Sequence, residues 1–305
     1  LNEVVVVGYG TQKKKDLTGS IASANLAAFK EAPNVSILQS LKGSLPGLTI
    51  SQTNRPGQEA SINIRGTSTL NGNTAPLIIV DGIIFSGRLS DINPADVASV
   101  DVLKDPSSKA VYGSQAANGV VLVTTKTGRL AQKPTITYST NYAISSPTVD
   151  ARLLNREEFL DKVRNIEYRN AYTQASGYTE QNPNWTFANS DFLPPNIAGA
   201  GTTNDFDWFG SLTQNSLIQN HSLGLTGGSD KTSYFLSAGY TNEKGYIKND
   251  DYKRYTVRIN LDNAITKWLT IGVNTSGAFT DFSGDAPSVD NIVSTSPLVT
   301  PTDAN

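Results

Sequence analysis

The sequence contains no cysteine. That removes disulfide frameworks, thiolate metal sites and cysteine nucleophiles together. It also lacks any apolar run long enough for a membrane-crossing helix, which needs ~20 residues, and its hydrophobic content is 38%. Membrane β-strands stay open, because each takes only ~9–11 alternating residues. Excess positive charge is missing as well: the net charge is −2 over 305 residues, so no global basic field invites nucleic acid. The one histidine, His221, cannot build a zinc site without several carboxylates, and there is no HExxH pattern. A Ser-His-Asp arrangement would want a G-x-S-x-G elbow, which is missing too. Glu157 and Glu158 fall at a helix start, where the macrodipole accounts for them. Val4–Gly10 resembles a strand entering a dinucleotide-binding turn, but Lys13 stands where the third glycine belongs and no βαβ unit follows. The expectation is a protein that is not an enzyme and has no metal or cofactor site.

What is present falls into two textures. Up to about residue 128, short apolar runs are punctuated by glycine and proline. Ile62–Ile64, Leu77–Val80 and Val120–Val123 read as short buried strands. Asn34–Leu41 and Asp105–Tyr112 read as short helices, with Pro106 suited to a first turn. The sum is a compact α+β domain. From Pro134 onward the period becomes two. Strands are expected near Thr135–Tyr142, Asn220–Thr226, Ser233–Thr241, Tyr255–Asp262 and Leu269–Thr280. In the cleanest, Tyr255, Val257, Ile259 and Leu261 alternate with Thr256, Arg258, Asn260 and Asp262. The polar faces also take Asn141 and Asn274.

A two-faced strand suits either a soluble sandwich or a membrane barrel, and the pattern alone does not choose. The connections do. A long segment from about Ala143 to Leu217 precedes a tight turn at Gly227–Lys231, an excursion from Glu243 to Asp251 and a short turn at Asn263–Lys267. Long and short connections thus alternate, as in barrels with long outer loops and short periplasmic turns. Tyr240, Tyr246, Tyr252, Tyr255 and Trp268 are expected near strand ends as an aromatic girdle. Asn155 with Glu158 forms a capping-box-like start for a helix to about Tyr168 in the long loop. Its aromatics (Tyr168, Tyr172, Tyr178, Trp185, Phe187) suit mutual packing, or stacking on sugar rings. Five strands cannot close, since the smallest barrels use ~8, so the chain is expected to be part of a longer protein.

The start at Glu3, Val4, Val5, Val6 and Val7 suits strand addition to a partner's sheet edge. An ordinary edge strand of the following domain fits equally well.

Leu1–Ser20, Ile62–Gly66, Pro76–Gly82, Asn93–Asp96 and Ser99–Gly128, taken together and in this order, resemble one family, the SusC/RagA-type TonB-linked outer-membrane transporters. Leu1–Ser20 is similar to the family's opening, with Glu3–Val7 overlapping its TonB box. Ile62–Gly66, Pro76–Gly82, Asn93–Asp96 and the long run Ser99–Gly128 resemble its plug motifs. His221–Leu223, Gly227–Gly228 and Tyr252–Leu261 are similar to pieces of its barrel. The resemblance implies an α+β plug domain inside a transmembrane antiparallel β-barrel of ~22 strands, of which about the first five are present. It implies residues 1–15 as TonB-box region and linker, 16–128 as plug and 129–305 as N-terminal strands and outer loops. It further implies TonB-dependent import of an oligosaccharide or peptide across the bacterial outer membrane, with a SusD-like lipoprotein outside, lipid around the barrel and the plug facing the periplasm. Glu3–Val7 would bind TonB, and Arg65 would lie at the plug–barrel interface. A siderophore or vitamin transporter and a scaffold subunit are the alternatives. Substrate-binding residues are not identified.

Overall fold

The computed structural model describes residues 4–7, 10–13, 21–24, 36–51, 55–66, 74–105, 110–146, 152–193, 204–284, 286–288, 290–291 and 295–299. Glu3 and residues 34–35 and 106–109, on which parts of the expectations fall, lie outside this set. The chain forms two compact units. The first comprises Leu1–Ser145, Ser216–Gly245 and Asp250–Gly284; the second comprises Ser146–Asn215, Tyr246–Asn249 and Asp285–Asn305.

Within the first unit, an N-terminal module is built on a mixed sheet. Its strands are β3 (Ile21–Ser23), β6 (Leu77–Val80), β7 (Ile83–Ile84), β8 (Val97–Leu103) and β9 (Val120–Thr125), ordered β3-β8-β9-β6-β7. β9 runs parallel to β6 and antiparallel to β8. Both faces of β9 are covered, which is why it reads as an unbroken apolar run. Val121 and Val123 join Ile37, Leu38, Leu41, Leu89, Val100 and Val102 in the larger core, while Val120 and Leu122 pack with Ile79, Leu103 and Ala116 on the other side. The helix Ile37–Leu41 is capped by Ser36, whose hydroxyl accepts from the Gln39 amide at 3.4 Å. A hairpin-like pair, β4 (Leu48–Ile50) with β5 (Ile62–Ile64), completes the module. Ahead of it, β1 (Val4–Val7) pairs antiparallel with β2 (Gly10–Lys13) as a separate two-stranded ribbon. The alternative of an edge strand in the module's own sheet is therefore not the arrangement adopted.

The rest of the first unit is an antiparallel meander of β10 (Thr135–Ser145), β11 (Ser216–Gly228), β12 (Thr232–Lys244), β13 (Asp251–Ala264) and β14 (Thr270–Asp281). All five expected strands are present; the first four are longer than the sequence pattern marked, and the fifth has the same length shifted by one residue. One expectation is corrected: no long excursion spans Glu243–Asp251. Glu243 and Lys244 stay in the ladder opposite Tyr252 and Asp251, leaving only Gly245–Asp250 as a turn closed by Gly245 N–H donating to Asp250 O at 2.6 Å.

Side chains sort strictly by parity. On the exposed face, successive register levels hold Tyr138-Leu223-Ala238-Val257 and Ile136-Leu225-Leu236-Ile259, each followed by a small or polar residue on β14. Ile136 is 73% exposed and Val257 54%. Above them, Thr140, His221, Tyr240, Tyr255 and Phe279 share one level. Ring centroids run along it at 6.1 Å (His221–Tyr240), 5.0 Å (Tyr240–Tyr255) and 6.3 Å (Tyr255–Phe279). Trp268 stands exposed in the turn at the opposite end. Tyr240, Tyr255 and Trp268 thus occupy girdle positions, and Tyr252 does not. It lies an odd number of residues from Tyr255, so it faces inward, where it is 1% exposed.

The second unit is organised around the helix Arg156–Ile166. The capping box forms as expected: Glu158 N–H donates to Asn155 Oδ1 at 2.9 Å and Asn155 N–H to Glu158 Oε2 at 3.1 Å. Leu160, Val163, Leu193 and Leu298 make a small core. Glu167 gathers the following turn, accepting from Trp185 Nε1 at 3.1 Å, Ser190 Oγ at 2.5 Å and Phe192 N–H at 2.6 Å. The aromatics pack on one another, Tyr168 on Tyr178 at 5.2 Å and Trp185 on Phe187 at 5.0 Å. Burial pushes the Glu167 carboxyl up, but the bonds from Ser190, Phe192 and Trp185 outweigh it and hold it below its ordinary range. A carboxylate lowered on folding stabilises above its ordinary value of ~4.3, and the contribution fades as pH falls through the lower folded value. Proteolytic cutting within residues 168–193 is accordingly expected to rise steeply on acidification below about pH 4. Glu167→Gln should cut readily at neutral pH already.

Candidate functional site

The face of the meander that is covered is the polar one. Ser233, Ser237, Thr241, Arg254, Thr256, Arg258 and Asn260 are all buried beneath the module, while the apolar face is exposed. A soluble sandwich does the opposite, turning its apolar face into the core. A contiguous apolar surface of this kind calls for a non-aqueous neighbour. The pattern that left two environments open in the sequence is thereby resolved toward a wall with a wet inner side.

The inner face grips the module through two arginines that alternation places two turns of the pleat apart. Arg258 is 6% exposed; its Nη1 lies 3.5 Å from Asp81 Oδ2 and its Nε 3.9 Å from Asp96 Oδ2. Asp81 sits at a positive φ of 50° in the β6–β7 turn. There it also accepts from Thr125 N–H at 2.8 Å and Thr125 Oγ1–H at 2.7 Å, which ties the turn to β9. Asn260 Nδ2 extends the network, donating to Thr125 Oγ1 at 3.1 Å and Lys126 O at 2.8 Å. Arg254 donates to the Ser90 carbonyl and, at 3.1 Å, to Thr241 Oγ1. Asp96 is presented by the turn Pro94–Asp96, which Asn93 caps by accepting from Ala95 N–H at 3.0 Å. Burial pushes the Asp96 carboxyl above its ordinary range, against the pull of the neighbouring Ser237 hydroxyl and of Arg258.

Close packing fixes the same contact sterically. The Tyr252 ring lies flat on Gly57, whose φ is +63°; a Cβ there would fall 2.2 Å from Tyr252 Cδ2. Gly57 N–H also donates to Glu243 Oε2 at 3.3 Å, and Arg55 pairs with Asp250 at 3.3 Å. Gly57→Ala combines a strained φ with overpacking, expected to cost about 1–3 kcal/mol. Hydrogen exchange of the Tyr252 and Glu243 amides is the readout, and faster exchange the expected result. At Gly239 the module again comes close, with Asn93 Nδ2 only 2.4 Å from where a Cβ would stand.

The residues singled out from sequence are distributed as follows. Arg258 and Asn260 lie on the buried polar face, and Asn274 of β14 stands opposite Asn260 in the ladder. Val4–Val7 lie in the β1–β2 ribbon, apart from this network. Arg65, at a positive φ of 59°, donates to Asp105 at 2.7 Å within the module and is half exposed. Asp81, Asp96, Arg254 and Tyr252 were not anticipated as contact residues. Parity in β13 could have placed Arg254 and Tyr252 beside Arg258, and the two aspartates lie inside the motif stretches already noted. Among the described residues no cluster of histidine and carboxylates fit for a metal ion occurs.

Comparison with known proteins agrees with this geometry. The family described as the TonB-dependent receptor plug domain matches residues 13–120. TonB-dependent receptor P3 of Formosa agariphila is 34% identical over 91% of this chain, and TonB-dependent receptor SusC of Bacteroides thetaiotaomicron is 33% identical over 86%. A structure of the RagAB peptide importer in its open-open state superposes with a TM-score of 0.75 at 31% identity, covering 93% of this chain. These relatives are far longer: the chain spans 25% of P3, 24% of SusC and 33% of the RagAB chain. The chain belongs to the SusC/RagA-type TonB-dependent receptors and carries their plug domain followed by the first antiparallel strands of the barrel.

Proposed function

We propose that the receptor to which this chain belongs imports a nutrient, an oligosaccharide or a peptide, across the bacterial outer membrane under TonB drive. The observation that carries the reading is the inverted sheet: polar residues buried beneath a globular plug and apolar residues exposed. The aromatic level and Trp268 would meet the lipid interfaces on either side of that apolar band. Residues 1–15 serve as TonB-box region and linker, 16–128 as plug and 129–305 as strands and outer loops, with the plug toward the periplasm. Glu3 to Val7 would offer TonB a β-strand. Two-stranded ribbons are marginal alone, so β1 can exchange β2 for a partner strand at little cost. Arg65, half exposed beside Asp105, is the plug's own candidate for a barrel contact. A SusD-like surface lipoprotein is the proposed partner, in keeping with the likeness to SusC and to RagAB.

Substrate class is tested by supplying a strain that lacks the receptor, and its complemented parent, with defined oligopeptides or oligosaccharides as sole nutrient. Receptor-dependent growth on one class assigns it. Equal growth of both strains on every solute would refute import.

A further inference from the structure

The plug is not gripped evenly. Its arginine-linked contacts lie on β13 and β14, and Glu243 of β12 accepts from Gly57, whereas a cavity of about 750 Å³ separates it from the inner faces of β10 and β11. Resting on the import reading above, we propose that this cavity is the solute passage: cargo moves between the plug and β10–β11, and the β12–β14 side stays docked as an anchor.

Shape supports this first. The strand wall is formed by Thr137, Ser139 and Asn141 of β10 and by Asn220, Ser222 and Thr226 of β11. With Gly224, which also lines the cavity, these are successive inner positions, and Thr137, Ser139 and Asn141 stand opposite Gly224, Ser222 and Asn220 in register. From Thr226, which pairs with Thr135, to Asn141 the cavity follows the strands for ~20 Å at ~3.4 Å per residue. It is therefore a groove along the wall, as a passage across the wall's height must be. The volume lies within the ~300–1,000 Å³ of small-ligand sites, and it holds on the order of tens of waters.

Chemistry supports it second. Apart from Gly224, the β10–β11 wall presents hydroxyls and amides, groups that both donate and accept and so can hand a solute from one level to the next. Charge is unbalanced: Lys126, Arg129 and Arg254 line the cavity against Asp96, and Arg258 already faces that carboxylate. Such a lining favours neutral or acidic chains rich in hydrogen-bonding groups, and disfavours cationic ones. Phe235 is the aromatic ring there whose parity turns it inward, so the passage offers little stacking and would hold cargo loosely enough to release it. The plug side is formed by the Asn93–Val97 segment and Lys126–Thr127. Asn93 reaches across to Ser222 Oγ with a 3.3 Å bond, long for such a pair and suited to opening.

These 305 residues contain no cysteine, and any cysteine in the remainder of the receptor is first replaced by serine. In the full receptor in its membrane, Ser139→Cys is modified with a methyl-sized or a bulky thiol reagent. Ala278→Cys on β14, inner-facing opposite Thr256 but outside the cavity, is treated alongside. The bulky adduct at Ser139→Cys should remove most energised uptake, the methyl adduct far less, and either adduct at Ala278→Cys little. The oligopeptide or oligosaccharide that supports receptor-dependent growth, added in excess, should slow labelling of Ser139→Cys and not of Ala278→Cys. Uptake that survives the bulky adduct at Ser139→Cys, or equal block at both sites, would overturn the passage while leaving import intact. An unmodified receptor without TonB-dependent uptake would instead refute the import reading itself.

Discussion

Arg258→Ala is expected to loosen the plug more than any other single change in the described interface. The substitution leaves Asp96 buried without its guanidinium and Asp81 with Thr125 alone. Removing one partner of a buried pair costs about 3–5 kcal/mol, and here the upper end is tempered because Lys126 and Arg254 still act on Asp96. The expected readout is an outer membrane that leaks large hydrophilic antibiotics it normally excludes, with faster hydrogen exchange at Thr125. Asp96→Asn should behave differently. Its raised carboxyl means that ionisation of Asp96 opposes docking, so the plug is held best below the ordinary aspartate value of ~3.9. That contribution is lost as pH rises through the higher docked value and stays lost at neutral pH. Asp96→Asn is thus expected to keep or slightly strengthen docking at neutral pH and to flatten its pH dependence. Equal damage from both substitutions would mean that the pair, and not the stranded charge, sets the cost.

The second large effect is expected in the N-terminal ribbon. Deleting Val4–Val7 should abolish energised uptake while insertion, plug docking and cargo binding persist, because those residues form a ribbon separate from the docking network. Strand addition relies on main-chain hydrogen bonds and on extended backbone, so chemistry at single positions matters less than conformation. Val5→Pro, which removes a donor and cannot sit within a ladder, should mimic the deletion. Val5→Thr keeps a β-branched side chain and should retain uptake. Loss with both substitutions would point to side-chain recognition instead, and unchanged uptake after the deletion would remove the energy-coupling role.

Much of the scaffold was legible because it is written locally. Period-two alternation marked all five meander strands, and the Asn155–Glu158 box marked its helix, since both depend on residues a few positions apart. Which face would be buried was not legible from alternation, because the same pattern serves lipid outside or water outside. Covering by the plug decided it. The overestimated Glu243–Asp251 excursion has a similar origin. Its Asp, Asn and Lys residues read as loop, yet the ladder from Asp251 to Lys253 is held by Tyr252 seated on Gly57, a contact no local pattern reveals. Asp81 and Asp96 were visible as parts of motifs, but their role depends on Arg258, far along the chain. Arg254 was within reach, because it shares parity with Arg258 and Asn260 on one strand.

The central claim is that the meander separates lipid from a wet interior occupied by the plug. Spin labels on cysteines placed singly along β13, in the membrane-embedded receptor, test it residue by residue. Labels at Val257, Ile259 and Leu261 should be relaxed by oxygen dissolved in lipid, and labels at Thr256 and Asn260 should be shielded from it. A water-soluble relaxation agent reaching Val257, Ile259 and Leu261 freely would contradict the barrel wall and the transporter assignment built upon it.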